Sequence, residues 1–261
     1  MDNEKREYNT ATKQWLAQSE FLSLNAGLGY IDVIIDQAGS GKPVVDALKQ
    51  LSPTARYGLL FEETPEEGMV NDSPVLVRLF WSEWQHRALI TEIMHYFANT
   101  PRLILLISPL VFDELKNHLC HLTQFRWGEQ SGILRFYDSR IFPVLFSHVL
   151  SEEQQFAFTR IAFYWGWQDR DVSQVWKQGK SGPESQLLTG PEVIELNDKQ
   201  IEIIGCLSDA EMLSREHQKT GVTPESNFQY FFKVALAASQ QGFLGDLKDY
   251  IKEYQEKPFL L

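Results

Sequence analysis

Length, composition and charge already exclude several classes of protein. The chain has 261 residues, of which 43% are hydrophobic and 13% aromatic, and its 24 lysines and arginines against 35 aspartates and glutamates give a net charge of −11. Intrinsic disorder and a disulfide scaffold are excluded, because this composition buries a large core and only two cysteines are present. A general nucleic-acid binder is excluded as well, because it needs a basic surface.

The hydropathy pattern predicts a cytoplasmic protein without membrane partners. No uninterrupted apolar stretch reaches the roughly 18 residues that a transmembrane helix needs. The polar start MDNEKREYNTATKQW lacks the basic and then apolar layout of a secretory signal. We therefore expect partners other than nucleic acids and membranes.

Composition divides the chain near residue 180. All seven tryptophans precede residue 181, and the residues from there onward carry 7 basic against 13 acidic side chains. The stretch GKSGPESQLLTGP between the two parts is rich in Gly and Pro, which is typical of a linker. The predicted organisation is an α/β domain over residues 1–180, a linker over 181–192 and a helical subdomain over 193–261.

In chain order, the first part alternates short apolar runs with amphipathic stretches. The predicted strands are Tyr30–Asp36, Tyr57–Phe61, Val75–Trp81, Leu103–Ile107 and Ile133–Tyr137, followed by a hairpin of Ile161–Trp167 and Val172–Lys177. The predicted helices are Pro43–Leu51, Ser82–Ala98, Ser108–Leu122, Ile141–Val149 and one opened by a capping box at Ser151–Gln154. This alternation indicates an α/β fold with a mixed or mostly parallel sheet flanked by helices.

The second part has the pattern of a small all-helical C-terminal subdomain. Asp198–Gln218 is helical in pattern, and a capping box that begins at Ser208 predicts a break there. A Thr-Pro-Glu start signal predicts a further helix up to Gln241, and a last helix covers Leu244–Tyr254.

The motif AGSGKP after the first strand is similar to a phosphate-binding loop. A true loop of this kind needs glycine five positions before Gly41 and a hydroxyl after Lys42, because backbone N–H groups wrap the phosphates and the hydroxyl holds Mg²⁺. The sequence has Asp36 and Pro43 at these positions. The motif is therefore interpreted as a β–α turn, and no nucleotide cofactor is expected.

Other catalytic patterns are incomplete. His118, Cys120 and His121 are close in sequence, and the two histidines share a helical face, but no second ligand pair such as CxxC accompanies them. A serine in the GxSxG context is missing as well. We expect no metal, no cofactor and no catalytic residue.

The cluster Arg135-Phe136-Tyr137-Asp138-Ser139-Arg140 is the most distinctive charged motif. It lies where a predicted strand ends and a helix begins. In the structural interpretation, Asp138 or Ser139 caps the helix and the two arginines pair with Asp138. In the functional interpretation, the cluster is a polar contact point for another protein.

The segment that contains this cluster resembles the signature of a bacterial adaptor family whose defining domain is the domain of unknown function 4123. The residues that fit the signature are Arg135, Phe136, Tyr137, Asp138, Arg140 and Gln154. Further pieces resemble the family upstream: the strand ending in Asp36, the residues Tyr57, Leu60 and Phe61, and the Ser73-Pro74 turn. Ser139 and Ser73 replace the more usual Pro and Gly but keep turn chemistry. The resemblance spans about residues 26–165.

The resemblance implies a non-enzymatic adaptor or chaperone of type VI secretion. Such a protein binds a toxic effector in the cytoplasm and helps to load it onto the valine–glycine-repeat spike protein. The family-signature residues, with a structural or partner-binding role, are then Arg135, Tyr137, Asp138, Arg140 and Asp36.

Two alternatives remain open. One is an α/β enzyme with a site at the C-terminal ends of the strands, where the candidate polar groups are Asp36, Gly39, Gly41, Asp138 and Arg140. A deep pocket that holds these groups would distinguish it. The other is an immunity-like protein whose acidity suits a basic toxin.

Overall fold

The computed structural model describes residues 2–39, 44–182, 193–218 and 220–256. Most of the predicted linker, and Gly41 in the turn after the first strand, lie outside the described residues. In the part of the chain that is described, no helix combines the length and the apolar character needed to span a bilayer.

A six-stranded sheet forms the centre of the fold. In spatial order its strands are β2 (Arg56–Leu59), β3 (Val75–Phe80), β1 (Tyr30–Ile35), β4 (Leu103–Ile107), β7 (Tyr164–Gln168) and β8 (Gln174–Gln178). Every neighbouring pair in this order is antiparallel. The combination of a sheet with flanking helices is confirmed, but the prediction of a mixed or mostly parallel sheet is wrong.

The crossover through α3 (Trp84–Tyr96) explains this error. β3 and β4 run in the same direction, because each pairs antiparallel with β1. β1 lies between them, so the strand–helix–strand unit joins parallel strands that are not neighbours. The order of elements along the sequence does not reveal which strand is inserted between the two.

Helices cover both faces of the sheet. They are α1 (Asp2–Asn25), α2 (Val44–Leu48), α3, α4 (Phe112–Leu122), α5 (Phe142–Val144) with a π-helical turn (Leu145–Val149), and α6 (Glu152–Thr159). On one face, Ile31, Val33 and Ile35 of β1 share a core with α1, α2 and α3. On the other face, Ile34 shares a core with α4, α6 and the π-helical turn. The alternation of side chains along β1 therefore supplies both cores.

The first helix, α1, was not predicted. Its Trp15 is 1% exposed, and Ser19 and Ser23 follow on the same buried side. Their hydroxyls donate to the carbonyls of Trp15 and Ser19 at 2.7 and 2.8 Å, which satisfies them inside the core. The buried positions of α1 are thus mostly small and polar, so the apolar periodicity that reveals a helix is weak here.

A buried ion pair connects β1 and β3. Asp32 and Arg78 are opposite each other in register, and Arg78 donates to both carboxylate oxygens at 2.7 and 2.8 Å. Arg78 also donates to the carbonyl of Leu110 at 2.9 Å. Burial raises the pKa of Asp32 to about 6, against the opposing effect of Arg78. A shift of the register would leave two buried charges unpaired, so this pair specifies the alignment of the two strands.

A small second sheet precedes the charged corner. Its strands, in spatial order, are β6 (Gln130–Ile133), β5 (Gln124–Trp127) and β9 (Ile194–Glu195). The predicted strand Ile133–Tyr137 overlaps β6 only at Ile133. The four residues 136–139 are all buried, whereas a strand with one covered face buries every second residue.

The C-terminal region is helical, as expected. Its helices are α7 (Asp198–Glu216), α8 (Pro224–Gln240) and α9 (Leu247–Glu256). The predicted break in α7 is wrong, because Ser208 lies inside a continuous helix and donates to the carbonyl of Ile204 at 3.2 Å. α7 instead begins at a capping box of Asn197 and Gln200. α7 and α8 share an aromatic core that includes Phe228, Phe231 and Phe232.

We predict that Trp15→Ala lowers the free energy of unfolding by about 3–5 kcal/mol, because the substitution leaves a cavity between α1 and the sheet. Urea denaturation of the full chain measures the change. The exposed neighbour Gln14 supplies the control, since Gln14→Ala is expected to cost less than about 0.5 kcal/mol. Equal stability of the two variants would show that α1 is not part of the cooperative core.

Candidate functional site

The corner at residues 135–140 lies beside the end of the sheet at which β1 finishes, which we call the Asp36 end. Phe136 and Tyr137 anchor the corner in the core through edge-on contacts with the rings of Phe61, Phe158 and Trp165. Because these two side chains are buried, the chain that follows is carried into the core with them. Asp138 is only 1% exposed as a result.

Asp138 is held by both arginines of the corner. Its Oδ1 accepts from the backbone N–H and the Nε of Arg140 at 3.0 and 2.9 Å. Its Oδ2 accepts from Arg140 Nη2 at 2.7 Å and from Arg135 Nη2 at 3.3 Å. Burial favours a higher pKa for Asp138, but the bonds and the charge of Arg140 outweigh it and hold that pKa below its usual range. The predicted pairing of both arginines with Asp138 is present. The predicted helix cap is wrong, because α5 begins after Ile141 without a side-chain capping bond, and the Ser139 hydroxyl has no hydrogen-bond partner within the described ranges.

Asp36 follows β1 and is 3% exposed. Burial raises its pKa, and the neighbouring Asp138 raises it further, while Arg102 opposes both effects. Arg102 lies 3.8 Å from the Asp36 carboxylate and donates to the Asp36 carbonyl at 3.2 Å. Asp36 also accepts from the Ala38 N–H at 3.2 Å. The structure thus brings Asp36 and Asp138 close together, a convergence expected from the sequence only under the enzyme alternative.

The remaining signature residues differ in exposure. Tyr137 is buried, and burial raises the pKa of its hydroxyl to about 12. The side chain of Arg135 is 49% exposed and that of Arg140 is 28% exposed. The arginines alone among the five predicted signature residues therefore present a substantial polar surface at the corner.

A second cluster of charges, missed in the sequence, continues from Arg140. The Nη1 of Arg140 lies 3.8 Å from Glu211 of α7. Arg170, in the turn between β7 and β8, donates to Glu211 and also to Glu225 of α8, at 3.1 Å for the second. The Arg170 guanidinium lies 3.4 Å from the centre of the Phe228 ring. An alternating series of charges thus joins the corner, the hairpin and the C-terminal helices.

The sequence did contain signals for these residues. The sequence predicts that Asp169-Arg170-Asp171 is the turn of the hairpin. That local pattern does not indicate the contacts that Arg170 makes with α7 and α8. Asp171 accepts from the Glu225 N–H at 2.9 Å and from the Thr223 hydroxyl at 2.8 Å, so it stabilises the start of α8. The capping box predicted to begin at Ser208 would include Glu211. In the structure, Glu211 lies within α7 and accepts a hydrogen bond from Arg170.

Gln154, which fits the family signature, connects the two parts of the chain as well. The predicted capping box of Ser151 and Gln154 at the start of α6 is confirmed. Gln154 also accepts from Gln200, the capping residue of α7, at 2.7 Å, and donates to the carbonyl of Glu195. Two helix starts are therefore linked by one pair of glutamines.

A cleft of about 290 Å³ opens where the corner meets the C-terminal helices. Its wall includes Arg140, Arg170, Glu211, Arg215 and Asn227. The cleft lies at the Asp36 end, next to the family-like corner.

The residues considered for metal or nucleophilic chemistry lie elsewhere. Burial raises the pKa of Cys120 to about 11 and also raises that of Cys206, so both thiols are held protonated. Burial lowers the pKa of His118, and His121 contacts the carbonyl of Asn117 at 2.9 Å. Among the described residues, no group of three or more His, Cys, Asp and Glu side chains is arranged to hold a metal ion.

The enzyme alternative assumes a site where the C-terminal ends of the strands meet at one edge of the sheet, and the described sheet has no such edge. Neighbouring strands alternate in direction, so their C-terminal ends lie at opposite edges. Asp36, Asp138 and Arg140 do lie together, but Asp138 is enclosed by its arginines and Gly39 is on an exposed turn. The fold thus defines an α/β protein with an antiparallel sheet, a buried ionic corner and a charged cleft.

Comparison with protein families identifies one segment. Residues 33–157 match the family model described as Domain of unknown function (DUF4123). The match contains Asp36, the corner and Gln154, and it ends before Arg170, α7 and α8. No curated protein and no solved structure matches the chain.

We predict that Asp138→Asn destabilises the protein at pH 7 by about 2 kcal/mol, because the partly exposed guanidinium groups of Arg140 and Arg135 lose the buried carboxylate that they share. Asp138 has a lowered pKa when folded, so its contribution is present above the unfolded pKa of about 3.9 and is lost as the pH falls through the folded pKa. The difference between wild type and variant should therefore shrink below about pH 4.

Chemical denaturation between pH 3 and 7 tests this expectation. Asp113→Asn is the matched control, because the Asp113 carboxylate is 84% exposed and 3.8 Å from Arg56. A pH-independent difference for Asp138→Asn would contradict the proposed ionisation of this residue.

We further predict that Arg170→Met loosens the C-terminal helices, because it leaves Glu211 and Glu225 without their shared partner. Hydrogen exchange should show the opening free energy of α7 and α8 reduced by about 3 kcal/mol, with the sheet amides little changed. Arg126→Met serves as the control, since Arg126 is 62% exposed and its ion pair is 3.9 Å long. Unchanged exchange in α7 and α8 would contradict the docking role of Arg170.

Proposed function

We propose that this protein is a non-enzymatic adaptor of type VI secretion, which binds an effector protein in the cytoplasm and helps to load it onto the valine–glycine-repeat spike protein. The observation that carries the proposal is the match of residues 33–157 to DUF4123. The family resemblance of the sequence connects this domain with such adaptors. The match contains the ionic corner on which the family resemblance rests.

Exposed apolar side chains at the other end of the sheet support a protein partner. We call this end, where β1 begins, the Tyr30 end. β3 finishes here and α3 and α4 begin here. The exposed side chains are Phe21 (62%), Leu24 (54%), Phe80 (37%), Trp84 (73%) and Val111 (65%). Clusters of exposed apolar residues mark protein interfaces more often than chance, and tryptophan is a frequent anchor in them.

The chemistry of the candidate polar residues also favours binding over catalysis. Asp138 is saturated by charge-assisted bonds, and both thiols have raised pKa values. A general base or a nucleophile needs an accessible lone pair and a pKa suited to its task. The groups at the corner instead stabilise one another, which suits a rigid binding scaffold.

The experiment that tests the proposal is co-purification from the source cell. We expect the tagged full chain to retain both the spike protein and a toxin-like effector, and we expect loss of the chain to reduce secretion of that effector. Recovery of neither protein would overturn the adaptor function. Recovery of a toxin alone, with toxicity blocked in the absence of the spike, would favour the immunity alternative.

A variant at the Tyr30 end tests which surface is used. We predict that Trp84→Ser lowers the retention of one of the two partners about tenfold or more, because exposed tryptophans are frequent hot spots. Leu244→Ser is the control, since Leu244 is 99% exposed and lies before α9. Equal retention of both partners by the two variants would exclude Trp84 as an anchor.

A further inference from the structure

The cleft at the Asp36 end is lined by several arginines, although the protein as a whole is acidic. Of the described residues, three arginines line it, Arg140, Arg170 and Arg215, against the one carboxylate of Glu211. The net charge of the whole chain is −11. Asp138 and Glu225, which pair with two of these arginines, are outside the wall. The described side chains that line the cleft therefore include more guanidinium groups than carboxylates.

Two of these arginines retain hydrogen-bonding capacity. Arg170 is 7% exposed, and each of its three guanidinium nitrogens donates to Glu211 or Glu225. The Nη1 of Arg140 and the Nη2 of Arg215, by contrast, lie 3.8 and 3.6 Å from Glu211, beyond hydrogen-bond distance. The Arg215 side chain is 66% exposed. Both guanidinium groups have planar donor pairs that match a carboxylate.

Asn227 is a further polar residue of the cleft wall. It is 4% exposed and belongs to the wall of the cleft. Its Nδ2 donates to the carbonyls of Ser214 and His217 at 3.0 and 3.2 Å, which fixes the orientation of the amide. Its Oδ1 has no hydrogen-bond partner among the described residues. The wall thus offers donors for an anion, and one of its residues has a buried amide oxygen that lacks a hydrogen-bond donor.

The remaining wall is partly apolar and the volume is small. Pro101, Val222 and Pro224 contribute the apolar surface. The volume of about 290 Å³ lies at the lower limit for small-molecule pockets, which favours one or two residues of a peptide over a large cofactor. A peptide offers a carboxylate, an N–H donor and an apolar part in one segment.

We propose that this cleft binds a carboxylate carried by a peptide segment of a protein partner, with Arg140 and Arg215 as the binding residues. The carboxylate comes from an acidic side chain or from the C-terminus of the partner, because both present the same planar anion. The proposal rests on the proposed function, since it names the chemistry that an adaptor's partner presents at this end.

The test is a titration of the ¹⁵N-labelled full chain, followed by the arginine Nε–Hε signals. The probes are N-acetylglutamate N-methylamide, N-acetylalanine, N-acetylglutamine N-methylamide and inorganic phosphate. We expect saturable shifts of the Arg140 and Arg215 signals with the two carboxylate probes, weakened by salt, and none with the glutamine probe. Tighter binding of N-acetylglutamate N-methylamide indicates an acidic side chain of the partner, and tighter binding of N-acetylalanine indicates its C-terminus.

A matched pair of variants completes the test. Arg215→Gln should weaken carboxylate binding about tenfold, as expected for one charge-assisted hydrogen bond. Arg56→Gln should leave it unchanged, because Arg56 is 63% exposed, is 3.8 Å from its own acidic partner and lies outside the wall.

Three results would overturn the proposal: equal binding of the glutamine probe, tighter binding of phosphate than of either carboxylate, or unchanged binding by Arg215→Gln. The titration contains no partner protein. Its failure therefore leaves the co-purification result standing, and a failed co-purification leaves the titration result standing.

Discussion

The burial of Asp138 is the constraint on which the charged corner and the cleft beside it depend. An ionised carboxylate that is 1% exposed is costly to bury unless it is paired, and Arg140 and Arg135 supply four bonds to it. Arg140 is thereby fixed in place, with its remaining amino group directed toward Glu211. The buried Asp138 thus places a guanidinium group of the corner beside α7, in addition to the contacts that Arg170 and α6 make with the C-terminal part.

The sheet shows how far local pattern determines a fold. The apolar runs located the strands of the sheet, and β4 has the predicted bounds of Leu103–Ile107. The local pattern does not determine the relative directions of the strands. These directions depend on the position of β1 between β3 and β4, and therefore on contacts between segments that are far apart in sequence. A different reason explains why the sequence does not predict α1. Ser19 and Ser23 face the core, where their hydroxyls donate to backbone carbonyls of the same helix, so the sequence of α1 has the polar pattern of an exposed segment.

The candidate site also combines contacts that the sequence predicts with contacts that it does not. Asp138 and its two arginines are within five residues of each other, so their pairing was predictable from charge and turn chemistry. Arg170 and Glu211 are 41 residues apart, and each had a plausible local explanation, a hairpin turn and a capping box. Long-range ion pairs leave no such local trace, and this is why the charged cleft appeared only in the structure.

Arg140 connects a family-like scaffold to a region outside the family match. On one side it is bonded to Asp138, inside the matched residues 33–157, and on the other it faces Glu211 in α7. Arg170, Arg215 and Asn227, which complete the cleft, all follow the matched segment. The corner therefore presents one fixed guanidinium, while the surrounding wall is set by the hairpin and helices of this particular chain. For the proposed adaptor function, this arrangement means that the buried Asp138 pair in the matched segment and the wall residues that follow that segment act at one place.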